Sequence, residues 1–235
     1  MTLSVVIPAY REAENLQIIL PKIHEALEGI DYEVNIIDTM EPLDDTETVC
    51  HENDVNYYHR EGGNLYGDAI RTGIKVAQKD HILIMDADGS HSPSDFCKML
   101  KDADSFDLTI GSRYVTDGKT DNPWFLIFMS WIVNACFRLA LGLKVKDISD
   151  SFRIYNAADL KALKLDCDNF DLVEEIIIKL SVFHKDYRIR EVPITFNKRM
   201  YGESKRDLVK FAFSYISTIV KLFQMKKKAK KDLAR

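Results

Sequence analysis

The sequence predicts an α/β protein whose open, mainly parallel sheet is flanked by helices. Short apolar segments typical of buried strands alternate with helical patterns over residues 1–114. Acidic side chains directly follow two of these strands. The chain of 235 residues is 46% hydrophobic and 29% charged, which are ordinary values for a globular protein with one large domain.

The alternation begins at residues 4–8 (SVVIP), a β-branched run that ends at a proline and predicts a buried strand. Residues 12–29 carry an apolar stripe at helical spacing and end at a glycine, so they predict a helix. Pro21 lies inside this stripe and is expected to kink the helix or to start a second turn there. Residues 33–38 (EVNIID) predict the second strand.

Three further strands and one helix are predicted in the rest of this region. The strands are 55–60, 81–86 and 108–114, and the helix is 67–78. Ligands bind beyond the carboxyl ends of the strands in such sheets. Asp38 and Asp86 follow two of those ends, so we expect them to face one crevice.

Two apolar segments follow the sheet. Residues 123–137 are nearly all apolar but fall short of the roughly 20 residues that a membrane span needs. They predict either a buried helix or a helix lying at a membrane interface. Residues 208–223 include Lys210 and Lys221 and predict an amphipathic helix. No transmembrane helix is expected.

Charge is distributed unevenly along the chain. The net charge is -5, but the last ten residues carry five Lys, one Arg and one Asp, so the rest carries about -10. An acidic body argues against a nucleic-acid-binding protein. The basic tail could contact an anionic membrane surface or be a solvated end. We expect a catalytic domain over residues 1–205 and a helix with a basic tail over residues 206–235.

The cysteines and the N-terminus indicate a cytoplasmic protein. The four cysteines form no CxxC pair and predict reduced thiols in the core rather than disulfides or a zinc site. They are Cys50, Cys97, Cys136 and Cys167. The first ten residues lack the basic start of a signal peptide.

An acidic motif, DADGS, occupies residues 86–90 at the end of a predicted strand. Alternate strand residues share a face, so oxygens of Asp86, Asp88 and Ser90 are expected to converge. Two carboxylates at such a short separation repel each other, and a divalent cation between them relieves this repulsion. An EF-hand loop is excluded, because its sixth and twelfth positions would be His91 and Cys97 instead of Gly and Glu.

Two other interpretations of this motif stay open on these residues alone. The motif resembles the nucleophile motif of haloacid-dehalogenase-type phosphatases, but that motif normally lies on the first strand of its domain. Here other predicted strands precede it. An acidic turn with a purely structural role is the second alternative.

Seven stretches, in order, resemble the family 2 glycosyltransferases, most closely their polyprenol-phosphate (dolichol-phosphate mannose synthase-like) branch. They are 5–16, 64–77, 82–93, 110–118, 147–156, 170–175 and 191–205. Together they extend over most of residues 3–205. The resemblance implies the GT-A (nucleotide-diphospho-sugar transferase) fold with its Rossmann-like sheet.

The resemblance also implies a nucleotide-sugar site. Its residues would be Pro8, Tyr10, Glu12, Ile37, Asp38, Thr39, Asp86, Ala87, Asp88, Arg113, Arg199 and Lys205. Asp86 and Asp88 would hold Mg²⁺ or Mn²⁺ against the donor diphosphate, with Ser90 as a further ligand. Arg113 would reach the donor, which makes it a candidate catalytic residue beside the two aspartates.

The implied acceptor is a polyprenyl phosphate bound at Ser130 and Arg153, with Arg138 as an alternative cation. Glu174 or Glu175 is expected either to orient the acceptor region or to pair locally. An ionised phosphate needs no general base, so we expect direct attack at the anomeric carbon with inversion.

Two positions depart from the family pattern. Thr39 stands where relatives carry a second aspartate that contacts the base, and Leu126 stands where an arginine is usual, four residues before Ser130. These departures leave two alternatives: a transferase with a soluble glycan acceptor, or a non-catalytic nucleotide-sugar-binding subunit of a membrane complex.

Overall fold

The structure is a computed structural model that describes residues 1–183 and 187–201, together with 220–221, 223–224 and 226–227 near the C-terminus. The strands are β1 (Thr2–Pro8), β2 (Asp31–Asp38), β3 (Asn56–His59), β4 (His81–Ile84), β5 (Leu108–Ser112), β6 (Lys119–Thr120), β7 (Arg153–Asn156), β8 (Ile189–Pro193) and β9 (Thr195–Phe196). The α-helices are α1 (Ala13–Ala26), α2 (Thr46–Glu52), α3 (Tyr66–Val76), α4 (Phe96–Leu100), α5 (Trp124–Leu141), α6 (Ala157–Lys161) and α7 (Asp171–Phe183).

Seven strands form one sheet in the order β3-β2-β1-β4-β7-β5-β8. All neighbours in it are parallel except for β7, which runs antiparallel to both β4 and β5. Strands β6 and β9 form a separate parallel pair. The predicted open, mainly parallel α/β architecture is therefore confirmed, with one antiparallel strand inserted in the sheet.

Helices cover both faces of the sheet and create two apolar cores. Val5 faces the core under α1, whereas its neighbour Val6 faces the core under α3 and α7. Gly73 on α3 allows close packing, because a Cβ there would lie 2.2 Å from a methyl group of Val6. Both faces being covered explains why the central strands read as continuous apolar runs.

The predicted elements of the first half are all present. Helix α1 continues through Pro21 and does not restart there. A proline inside a helix costs about 3 kcal/mol. Burial of Leu16, Ile19, Leu20 and Ile23 along one face offsets this cost. The sequence patterns missed α2, α4, α6, α7, β6, β7, β8 and β9.

Helix α5 confirms the helix predicted at residues 123–137 but is not buried. Trp124 is 78% exposed, and Phe125, Phe128 and Trp131 are each about half exposed. The buried alternative is therefore wrong for this face of the helix. Within the described part of the chain, no helix combines the length and apolar character needed to cross a bilayer.

Two other predictions have different outcomes. The four cysteines are free thiols, but only Cys50 and Cys167 are the buried core thiols that were predicted, whereas Cys97 and Cys136 are exposed. The predicted helix at 208–223 and the domain boundary at 205 lie almost entirely outside the described residues.

Candidate functional site

The candidate site is an open cleft at the carboxyl edge of the sheet. It forms where β1 and β4 end, since parallel neighbours deliver their following loops to the same edge. The residues that line it are Pro8, Ala9, Tyr10, Glu12, Arg60, Tyr66, Asp86, Ala87, Asp88, Phe170 and Arg199. The structure thus brings together most of the residues expected at a donor site.

Asp86, the first residue of the acidic motif, is held on two sides. The Ser151 hydroxyl donates to its carboxylate over 3.0 Å, and its backbone N–H donates to Nδ1 of His91 over 2.9 Å. Burial lowers the pKa of His91, whereas the carboxylates of Asp150 and Asp86 raise it and prevail. The hydrogen bond from the Asp86 N–H nevertheless requires an unprotonated Nδ1, so this geometry places the ring proton of His91 on Nε2.

Asp88 is paired with a cation across the cleft. Both Nε and Nη2 of Arg199 lie 3.0 Å from its Oδ2, and the Ser90 N–H donates to its Oδ1 over 3.0 Å. Burial raises the pKa of Asp88, but hydrogen bonding by Ser90 and the charge of Arg199 hold it below its usual value. Nη2 of Arg199 also lies 3.6 Å from Glu12. Burial raises the pKa of Glu12.

These residues fit a hard divalent cation. Asp86 and Asp88 both line the cleft, and Asp88 already binds a positive group there. Among the described residues there is no group of three or more His, Cys, Asp and Glu that could enclose a metal. Mg²⁺ is commonly held by one or two carboxylates plus substrate phosphates and water. Ser90 is buried and does not line the cleft.

The residues that end β2 lie behind the cleft instead of lining it. Ile37, Asp38 and Thr39 are buried. The Tyr57 hydroxyl donates to Asp38 over 3.0 Å, and burial raises the pKa of this aspartate. The Thr39 hydroxyl donates to the carbonyl of Glu41 over 2.6 Å. Both side chains are therefore engaged in holding the loop after β2.

Four residues of the cleft lining were not among the predicted site residues: Ala9, Arg60, Tyr66 and Phe170. Arg60 is buried, and its guanidinium donates to the carbonyls of Ala9 and Asn64, which ties two cleft walls together. A signal for it existed, since Arg60 is the first Lys or Arg after Lys22 and follows a predicted strand. Tyr66 and Phe170 stack with ring centroids 4.4 Å apart, and no local sequence pattern links them.

Arg113 lies away from the cleft lining, inside a buried ionic cluster. Its side chain is 9% exposed and binds both carboxylate oxygens of Asp147, each over 2.8 Å. Asp150 lies 3.3 Å from its Nε. Burial lowers the pKa of Arg113, but the two carboxylates raise it well above its usual value. The structure does not bring this guanidinium next to Asp86 and Asp88.

Arg153 is also enclosed by protein. It is fully buried, and its guanidinium donates to the carbonyls of Ile148, Asp150 and Val173. Glu174 lies in the same buried region, where burial raises its pKa to about 8 against the effect of Arg153. This arrangement gives Arg153 a structural role and leaves no face of it for a phosphate.

The other residues of the predicted acceptor region are scattered. Ser130 lies on α5 and hydrogen-bonds Tyr114. Glu175 accepts from the N–H groups of Asp166 and Cys167 and pairs with a lysine, so it pairs locally. Arg138 on α5 has a buried Nε with no hydrogen bond to described residues. Lys205 lies outside the described residues.

Comparisons with known proteins agree with this architecture. The family model described as Glycosyl transferase family 2 matches residues 4–164. The chain is 32% identical to the dolichol-phosphate mannosyltransferase of Pyrococcus furiosus over 95% of its own length, but it spans only 64% of that relative. It is 32% identical to the polyprenol monophosphomannose synthase of Mycolicibacterium smegmatis, covering 86% of this chain and 79% of the relative. The undecaprenyl-phosphate mannosyltransferase of Micrococcus luteus is 33% identical, with 87% of each chain covered.

Solved structures match at the level of the fold. The glucosyl-3-phosphoglycerate synthase of Mycobacterium tuberculosis, in complex with Mn²⁺ and UDP-glucose, superimposes with a TM-score of 0.74 at 16% identity. The match covers 95% of this chain and 79% of that one. The same synthase with Mg²⁺ and UDP gives a TM-score of 0.73, also at 16% identity and with the same coverage. The GT-A architecture expected from the sequence is therefore confirmed.

Proposed function

Because the chain belongs to glycosyl transferase family 2, we propose that it transfers a hexose from a nucleotide-diphosphate sugar to a polyprenyl phosphate. The observation that carries this proposal is the cleft lined by Asp86, Asp88 and Arg199, in which the Asp88 carboxylate pairs with the Arg199 guanidinium. A metal ion held by two carboxylates and a guanidinium beside it can together neutralise a pyrophosphate. Relatives named as polyprenol-phosphate mannosyltransferases support the acceptor and the sugar.

Donor binding would use the lining of the cleft. Asp86 and Asp88 would hold Mg²⁺ or Mn²⁺, which neutralises charge on the departing diphosphate. Arg199 would turn from Asp88 to the phosphate oxygens, since a guanidinium binds phosphate in the same forked geometry as a carboxylate. Tyr10, which is 41% exposed at the cleft, would stack on the base or ribose.

The acceptor phosphate would be the nucleophile. It is ionised at neutral pH, so the cleft needs no proton-accepting side chain for the attack. The chain contributes by positioning the anomeric carbon and stabilising the leaving group. Attack from the side opposite to the diphosphate inverts the configuration at that carbon.

The exposed aromatic face of α5 would bring the protein to the lipid. Trp124, Phe128 and Trp131 follow i, i+4, i+7 spacing, so they share one face of the helix. Aromatic side chains on one face of a non-spanning helix are typical of helices that lie in the membrane interface. We therefore place this face against the cytoplasmic side of a membrane, where a polyprenyl phosphate is anchored.

The proposal is tested by incubating the full chain with Mn²⁺, undecaprenyl phosphate and a radiolabelled donor. The donors are the nucleoside diphosphate derivatives of mannose and glucose. We expect a chloroform-soluble labelled product that requires the lipid, and no product from an Asp88→Asn variant. Absence of such a product with every donor would contradict the polyprenyl acceptor.

A soluble acceptor is the second candidate function. It is favoured by Leu126, which replaces the expected cation, and by the enclosure of Arg153. In the same experiment this candidate predicts labelled product that stays in the aqueous phase when glycans replace the lipid.

A further inference from the structure

His91 lies directly behind the acidic motif and is held in one orientation. It is fully buried, its ring stacks on Phe152 with centroids 4.9 Å apart, and the edge of Phe196 packs against it at 5.4 Å. Nδ1 accepts the backbone N–H of Asp86 over 2.9 Å. A ring fixed in this way fixes the backbone at Asp86 as well.

The other ring nitrogen of His91, Nε2, faces a buried carboxylate. Nε2 lies 3.1 Å from Asp150, whose side chain is fully buried. Asp150 in turn contacts Arg113 at 3.3 Å, and Arg113 binds Asp147 through two contacts of 2.8 Å. This chain of contacts connects the acidic motif to Arg113, Asp147 and Asp150, which are distant in sequence. None of the four side chains, His91 included, lines the cleft.

The same segment also orients the Asp86 side chain. Ser151 directly follows Asp150, and its hydroxyl donates to Oδ1 of Asp86 over 3.0 Å. The backbone and the carboxylate of Asp86 are thus both held by contacts that converge on residues 150–152. Contacts of this kind, one step behind a ligand, determine where a ligand oxygen points.

We propose that His91 is a positioning residue that sets the Asp86 carboxylate for metal binding, through its bond to the Asp86 backbone. The proposal rests on the proposed function, since it assumes that Asp86 and Asp88 bind the cation. It assigns to Arg113 a supporting role, since Arg113 holds Asp150 and Asp150 contacts His91.

Three substitutions of His91 separate positioning from packing. His91→Asn keeps an acceptor near the position of Nδ1, whereas His91→Gln keeps only a donor toward Asp150, and His91→Phe keeps only the stacking. Ser151→Ala removes the second hold on Asp86 with a minimal change of volume. His81→Asn is the matched control, because His81 begins the same strand at its opposite end and contacts Asp104.

The readout is Mn²⁺ binding to the full chain. It is measured, with and without UDP or GDP, as the loss of the electron paramagnetic resonance signal of free Mn²⁺. Removing a partner behind a metal ligand typically costs about 10- to 100-fold in metal affinity. We therefore expect at least about tenfold weaker binding for His91→Phe, His91→Gln and Ser151→Ala. His91→Asn should stay within about threefold of the wild type, and His81→Asn should be unchanged, because each keeps the bond to Asp86.

Melting temperatures measured in parallel identify the folded fraction. If folded His91→Gln and Ser151→Ala bind Mn²⁺ as the wild type does, His91 is only a packing element and the inference is wrong. The Asn–Gln comparison and Ser151→Ala decide the question even if His91→Phe fails to fold. If the wild-type chain itself binds no Mn²⁺, the metal role in the proposed function fails, and this inference fails with it.

Discussion

Arg199 forms an ion pair with the Asp88 carboxylate, which a metal ion would also need. Its guanidinium lies 3.0 Å from Oδ2 of Asp88, and the next residue, Met200, donates its backbone N–H to the Asp88 carbonyl over 3.0 Å. The Asn197 N–H donates to the carbonyl of Ser90 over 2.9 Å. This loop therefore lies along the acidic motif, and its cation competes with any divalent ion for Asp88.

Replacing Arg199 by glutamine should have opposite effects on two ligands. Without nucleotide, Mn²⁺ should bind about fivefold more tightly, because an ion pair worth about 1 kcal/mol no longer competes. With Mn²⁺ present, UDP or GDP should bind more weakly, because the phosphates lose a cation. Calorimetric titrations measure both. Lys198→Gln, an exposed neighbour, is the control, and equal shifts in the same direction would contradict the competition.

Asp88→Asn tests the acidic pair directly. It removes one of two carboxylates, so metal-dependent nucleotide binding should fall by at least about tenfold while the fold is retained. Thermal shift with UDP or GDP, with and without Mn²⁺, measures this, because a ligand of the folded state raises the melting temperature. An unchanged Mn²⁺-dependent shift would remove Asp88 from the metal site.

At the scale of elements, α5 differs from the other helices because its apolar side chains are divided between core and solvent. Phe137 is fully buried, whereas Trp124 and Trp131 project outward from the same helix. The helix ends at Gly142, whose φ of +63° is a conformation that glycine adopts without strain. The apolar core that includes Phe137 thus anchors one face of the helix, and an aromatic face is left uncovered by described residues.

Removing the two tryptophans should release the protein from membranes. Trp124→Ser combined with Trp131→Ser should lower co-sedimentation with phospholipid vesicles several-fold, because each indole loses apolar burial in the interface. Leu43→Ser, an exposed apolar residue on a different loop, is the control. Nucleotide binding should not change, and unaltered sedimentation of the double variant would count against an interfacial α5.

A buried carboxyl group links the stability of the entire fold to pH. Glu174 is fully enclosed beside Arg153, and burial raises its pKa to about 8 from an ordinary value near 4.5. The folded state therefore holds this proton between these two values whereas the unfolded chain has lost it. Since the unfolded state binds fewer protons in this window, this group makes the free energy of unfolding fall as pH rises from about 5 to 8.

Glu174→Gln should remove this part of the pH dependence. Relative to the wild type, the variant should gain stability from pH 5.5 to pH 8, on the order of a few kcal/mol, at about 1.4 kcal/mol per pKa unit. Urea denaturation at both pH values gives the two free energies of unfolding. Glu28→Gln changes an exposed residue and should show the same pH dependence as the wild type. If Glu174→Gln shows that dependence as well, Glu174 is ionised throughout this range and the prediction is wrong.

Local patterns were sufficient for most of the first half of the fold, although α2 and α4 were missed. Apolar runs and helical stripes located β1, α1, β2, α3 and β4, because each is specified by its own periodicity. The placement of Asp86 and Asp88 at a strand end followed from the same reasoning. Strand β7 was missed, since an antiparallel insertion depends on which strands it pairs with and leaves no local signature.

Periodicity along the chain was enough to predict the alternation of strands and helices, and with it the edge of the sheet at which the acidic pair lies. The partners of the charged groups could be identified only from the folded chain. Arg113 and Arg199 look alike in sequence, but one is surrounded by Asp147 and Asp150 and the other faces Asp88 across the cleft. The reason is physical: periodicity acts between neighbours along the chain, whereas a guanidinium binds whichever carboxylate the fold brings within about 3 Å.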